Sequence, residues 1–161
     1  MERKPSGKER EFIERAVALA SASIREGGGP FGAVIVREGV IIAEAQNEVA
    51  RSADPTAHAE ILAIRKASRS AGTHNLSGCE LYSSCEPCPM CLGAIYWAGI
   101  KRIYYAAGRD DAAFAGFNDA FIYDEISKLP EERKLEFIRV TNINGSAVFD
   151  EWKNYEGKIP Y

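Results

Sequence analysis

Two short motifs in this chain bring together side chains that rarely serve packing alone: His58-Ala59-Glu60 and Pro87-Cys88-Pro89-Met90-Cys91. They supply one imidazole, two thiols and one carboxylate. A catalytic zinc ion typically takes three protein ligands and leaves the fourth tetrahedral position to water. His58, Cys88 and Cys91 match that donor set, and Glu60 is left as the proton carrier beside the water. Two thiolates and a neutral histidine balance the ion's charge yet leave it Lewis acidic, and water on such an ion drops from a pKa of about 15.7 to about 7. A structural zinc site would close all four positions. Cys85, evenly spaced with Cys88 and Cys91, is the candidate fourth ligand for it. Such a site has no use for a glutamate two residues from the histidine. Cys85 is therefore read as a buried small residue at the end of the run Leu81 to Ser84.

The flanking residues suggest how the motifs are positioned. Cys88 and Cys91, three apart, share one face of a helix. Pro87 and Pro89 suit a helix start, where proline forfeits no intrahelical bond. The positive end of that helix favours thiolates over thiols. His58 stands at the front of a second helical stretch running to about Ala71, with Ile61, Leu62, Ile64 and Ala67 as its apolar side. Two helix N-termini are thus expected to converge on one metal.

The rest of the chain alternates between helical and strand patterns. Ile13, Val17, Ala20 and Ile24 are spaced for one face of an opening helix, closed by Gly27-Gly28-Gly29-Pro30. Residues Met1 to Arg10 read as a loose charged tail, with residues 1–8 flexible. Ala33–Val36 and Val40–Ala43 flank Arg37-Glu38-Gly39 as a hairpin. Strands are expected at Glu80–Ser84, Ile103–Ala107 and Leu135–Val140, and helices at Pro89–Ala98 and Val148–Tyr155. Segment 108–125 is read as a loop leading into a short helix. This alternation implies an α/β protein, a three-layer α/β/α arrangement around a central sheet.

Composition bounds the function. The chain has 161 residues, 46% hydrophobic and 27% charged, which fits one globular domain with a real core. The net charge is −3 and basic residues are scattered, whereas binding through phosphates asks for a basic patch. Nucleic acid is an unfavoured partner on that ground. No stretch approaches the run of about 18 apolar residues a membrane span needs, and the charged start is no secretory signal. A cytoplasmic location is expected. The four cysteines then favour metal over disulfides.

The His-x-Glu and Pro-Cys-x-x-Cys halves, in that order, make up the signature of zinc-dependent base deaminases. With them the chain resembles the cytidine deaminase-like superfamily and, within it, the bacterial guanine deaminases, from about Phe12 to Tyr161. The more specific stretches are Gly29–Val36, Asp54–Glu60, Ser84–Trp97, Ala115–Asp119, Phe121-Ile122-Tyr123, Trp152 and Tyr161. The resemblance implies a five-stranded mixed sheet between helices and one zinc ion per chain. It implies a homodimer whose C-terminal segment, about 125–161, is exchanged and covers the partner's active site. The implied reaction is hydrolysis of guanine at carbon 2 to xanthine and ammonia, Glu60 acting as base and then as acid.

By the same resemblance Phe31 packs on the purine ring, Asn47 hydrogen-bonds the base, and the Ala59 N–H reaches a base carbonyl. Trp97 lines the pocket, and Asp119 and Tyr161 face the substrate from the tail. From the residues alone, Phe31 and Trp97 could equally be core aromatics, and Asn47 a turn residue after a strand. Two departures bear on substrate choice. Asn118-Asp119 stands where relatives often carry two acids, and Thr141–Ala147 contains no acid. Deamination of guanosine or tRNA adenosine is the alternative within the enzyme class, and a zinc-stabilised binding domain the alternative outside it.

Overall fold

The computed structural model describes residues 4–160. The chain divides into two units, Met1–Asp119 and Ala120–Tyr161.

In the first unit the order is α1 (Gly7–Arg25), β1 (Gly32–Arg37), β2 (Val40–Gln46), α2 (Val49–Ser52), α3 (Ala59–Ala71), β3 (Cys79–Cys85), α4 (Pro89–Trp97), β4 (Arg102–Ala107) and α5 (Arg109–Phe114). The sheet runs β2-β1-β3-β4. β1 pairs antiparallel with β2 and β3, and β3 pairs parallel with β4. The β1–β2 hairpin closes on Glu38-Gly39, both at positive φ of 51° and 74°. Such a two-residue turn matches the right-handed strand twist.

β1 is a continuous apolar run because it is buried on both faces. Ala33 and Ile35 point to one core with Ala59, Ala63 and Ala67 of α3, and with Leu81 and Ile95. Val34 and Val36 point to the other, under Ala16 of α1 and beside Tyr82. α1 and the α3/α4 pair thus cover opposite faces, giving the mixed three-layer architecture. α1 sits directly on the β1 backbone. A Cβ on Gly32 would fall 2.3 Å from the Ala16 carbonyl oxygen.

Three expectations need correction. The described residues form four strands, with no fifth: residues 135–140 are without regular structure, and Leu135, Phe137, Ile138 and Val140 are exposed. A strand needs a ladder partner, and the described residues offer this segment none. The opening helix starts at Gly7, inside the expected tail, because Ser6 and Glu9 form a reciprocal capping box. Its buried face is also rotated from the expected one. Val17 and Ile24 are 42% and 58% exposed, while Ala16, Ala20 and Ser23 face inward.

The second unit contains α6 (Ala120–Ser127), a single 3-10 turn at Pro130–Glu132 and α7 (Ala147–Asn154). The Glu125 carboxylate organises its first half, taking Lys128 Nζ at 2.6 Å and the Lys134 N–H at 2.6 Å. None of its described residues is buried.

Candidate active site

His58 and Cys88 are both N-cap residues, with φ/ψ of −69°/151° for α3 and −66°/169° for α4. The cap conformation turns each side chain away from its helix and toward the shared space in front of the two N-termini. Pro89 begins α4 where its missing N–H costs no helical bond. One turn later, Cys91 returns to the same face. His58 Nδ1 lies 3.5 Å from the Sγ atoms of both Cys88 and Cys91. The three ligand atoms all fall within 4.8 Å of one another.

The donor chemistry suits zinc. One imidazole and two thiols are the borderline-soft N/S set that zinc prefers, with three protein ligands and room for a fourth. The charge distribution is already tuned for a cation. Hydrogen bonds from Cys91 and His58 pull the Cys88 thiol down to about 4 against the effect of burial. Cys91, as donor to Cys88 and as a buried group, is pushed up. A metal ion bound here would take the place of the thiol protons, since both cysteines ligate as thiolates. The hydrogen bond to Cys88 raises the His58 pKa.

Glu60 lies beside the cluster and is only 4% exposed. Its Oε2 is 3.5 Å from Cys91 Sγ, and its Oε1 accepts a 2.9 Å hydrogen bond from Ser83 Oγ. Burial is the largest influence on the carboxyl and holds it above the ordinary carboxylate range. Cys85 is apart from the cluster. Its Sγ is directed at the Gly108 carbonyl at 3.6 Å, and burial raises its pKa to about 11, so it stays a neutral thiol. All four cysteines are free.

The remaining expected residues divide. Ala59 is fully buried at the first position of α3. Asn47 is 6% exposed, and its Oδ1 accepts from the N–H groups of Gly29 and Val49, each at 3.2 Å. Those two donors fix the amide's orientation, and the bond from Val49 is the Asx turn expected of an asparagine after a strand. Phe31 packs against the α3-side core and meets Phe117 edge to face at 5.0 Å. Trp97, the last residue of α4, is 69% exposed and is not part of this chain's core. Asp119 is half-buried in the loop after Phe117. Tyr161 lies outside the described residues. Ser83 was absent from the expected site, although polarity in an otherwise buried strand was its signal. Phe117 was matched only as part of a motif.

Residues 6–107 match the family model described as the cytidine and deoxycytidylate deaminase zinc-binding region. The chain belongs to this family. Within it, the chain is 56% identical to the guanine deaminase of Bacillus subtilis over 151 residues, covering 93% of this chain and 97% of that one. The X-ray structure of the B. subtilis guanine deaminase superposes with a TM-score of 0.91 at 56% identity, covering 94% of this chain and 98% of that one. A tRNA-specific adenosine deaminase of Aquifex aeolicus is 46% identical, but over 96 residues, 60% of this chain and 64% of that one. Among the described residues, no helix of this deaminase is long and apolar enough to cross a membrane.

Proposed function

We propose that this protein is a zinc-dependent guanine deaminase, converting guanine and water to xanthine and ammonia. The observation that carries the reading is the extent of similarity. The likeness to a guanine deaminase runs through 93% of the chain, and the likeness to a tRNA adenosine deaminase through only 60%. The net charge of −3 agrees with a small purine over a polyanion.

His58, Cys88 and Cys91 would hold one zinc ion per chain, which supplies Lewis acidity and brings the pKa of water near 7. Glu60 does the proton work. It takes a proton from the attacking water, delivers one to a ring nitrogen, and later protonates the departing amine. A C–O bond forms at carbon 2 and the C–N bond breaks. The protons of water end on the ring nitrogen and on ammonia. The Ala59 N–H, in the first turn of α3, is the donor for a base carbonyl. Asn47, its Oδ1 committed to backbone, offers its NH₂ group to an acceptor on the purine. Phe31 provides the apolar face for the ring. Trp97, Asp119 and Tyr161 complete the substrate's surroundings.

The functional form is a homodimer with an exchanged C-terminal segment, working in the cytoplasm. A stretch of 42 residues that exposes Phe121, Leu135, Phe137, Ile138 and Phe149 needs a covering surface, and a second copy provides it. Ammonia release measured across guanine, guanosine, adenine, cytosine and tRNA tests the assignment. Turnover of guanine well above the others is expected. Preference for guanosine or for tRNA overturns it.

A further inference from the structure

Glu60 is the one proton carrier in the proposed reaction, and a carboxylate has two oxygens that rotation about its last bond makes interchangeable. The structure distinguishes them. Oε1 faces Ser83 Oγ at 2.9 Å, and Oε2 faces the ligand cluster, 3.5 Å from Cys91 Sγ. Ser83 is itself completely buried. Its Oγ also accepts from the Cys85 N–H at 3.4 Å. A hydroxyl has one proton and two lone pairs. With a backbone N–H directed at its oxygen, the Ser83 proton is steered to Glu60.

Strand parity explains how Ser83 reaches that place. Cys79 and Leu81 of β3 belong to the core under α3 and α4, while Tyr82 belongs to the core under α1. Ser83 continues the odd-numbered face one step beyond Leu81, where the strand meets the N-terminus of α3. Its neighbour Ser84 faces the other way and accepts from the Gly32 N–H at 3.0 Å.

We propose that Ser83 is the positioning residue of this deaminase: it occupies Glu60 Oε1 as a permanent acceptor, so that Oε2 alone carries protons between water, base and leaving amine. This rests on the role given to Glu60 above. A carboxylate held at one oxygen cannot swing away from the reacting atoms between its two proton transfers. Protonation at Oε1 would reverse the hydrogen bond with Ser83 and leave the Ser83 proton without that acceptor inside a buried site, where an unmade bond is costly.

The test compares Ser83→Thr with Ser83→Val, two side chains of one shape that differ in the hydroxyl, alongside Ser83→Ala. The threonine variant keeps kcat within about threefold of wild type, while valine and alanine lower it by about 10–100-fold, the usual effect of losing an outer-shell partner. KM for guanine and the zinc content, one ion per chain, stay unchanged in all three. A crystal structure of Ser83→Ala shows the Glu60 carboxylate in more than one orientation. If the valine and alanine variants match threonine in kcat, or if their loss follows loss of zinc or a rise in KM, Ser83 does not act through Glu60 and the proposal is overturned. So too if Glu60 keeps a single unchanged conformer in Ser83→Ala. A wild-type enzyme that leaves guanine untouched would instead overturn the guanine assignment itself, before any variant is compared.

Discussion

Replacing Glu60 by glutamine exchanges one carboxylate oxygen for an NH₂ group and leaves the shape of the side chain intact. Its carbonyl oxygen can still accept from Ser83, so the 2.9 Å contact survives, while the NH₂ group faces Cys91 and donates where the carboxylate accepted. Because burial already raises the carboxyl pKa, a neutral amide sits in the same place at a smaller desolvation cost. The variant is therefore expected to fold with unchanged or slightly higher thermal stability and one zinc ion per chain. What it lacks is proton transfer. General acid–base catalysis contributes roughly 10²–10⁴-fold, equal to about 3–5 kcal/mol of barrier. Glu60 serves both halves of the reaction, so the loss in kcat should reach the upper end of that range or beyond. Steady-state ammonia release, with zinc quantified on the same preparation, measures both quantities. Activity within tenfold of wild type, or a preparation without zinc, would refute the reasoning, since the first denies proton transfer and the second makes Glu60 a ligand.

Four further expectations can be checked together. Cys85→Ser retains one zinc per chain and most activity, because the thiol faces Gly108 and not the cluster; a metal-free variant would favour a closed structural site. Gly32→Ala places a Cβ 2.3 Å from one α1 backbone atom and 2.7 Å from another, so denaturant melts should show a loss of about 1–3 kcal/mol or more. The bidentate Arg15–Glu44 pair ties α1 to β2, with Arg15 Nε at 2.7 Å from Oε2. The hydrogen bond from Arg15 depresses the Glu44 pKa, so the pair stabilises the fold above the ordinary carboxylate range, near about 4.3, and that increment disappears as pH falls through the lowered value. Arg15→Met should remove it at a cost under about 1 kcal/mol at pH 7, the pair being partly exposed. Deleting Pro160 and Tyr161 raises KM for guanine and slows turnover while zinc and the dimer persist. Mixing that truncation with Glu60→Gln restores activity after subunit exchange, and a truncated enzyme equal to wild type would remove the tail from the site.

The helices that carry the ligands were legible because their signals are local. Proline at the start of α4, the three-residue step from Cys88 to Cys91, and a histidine ahead of an apolar face each fix a helix terminus without reference to the rest of the chain. The orientation of α1 was less legible. Ile13, Val17, Ala20 and Ile24 fit a helical stripe, yet small residues determined the contact: Ala16 and Ala20 let α1 lie against the Gly32 backbone, leaving Val17 and Ile24 outward. The Ser6–Glu9 capping box was present in the sequence and is a readable start signal, obscured by the charged residues around it. Residues 135–140 mislead for a different reason. Apolar content alone cannot supply the strand partner that a ladder requires, and the described residues contain none for it.

The same distinction separates chemistry from substrate choice. Every residue of the ligand cluster, with Glu60 and Ser83, lies within 6–107, the region matched by the family model, and all of it belongs to the first unit. That unit has its own two cores, so the arrangement that activates water stands on local caps and on the parity of β3. Residues 120–160, by contrast, bury none of their side chains. Their order must come from surfaces that the local sequence does not encode, and no periodicity argument can recover them. On the proposed reading, in which an exchanged C-terminal segment covers the site, the base accepted can change while the hydrolytic residues of the first unit stay the same. Asn118-Asp119 and the acid-free stretch Thr141–Ala147 fall at the end of the first unit and within the second. Discrimination between guanine and its close analogues is therefore expected to respond to substitutions there, read as changes in the kcat/KM ratio between two bases, with zinc content left as it was.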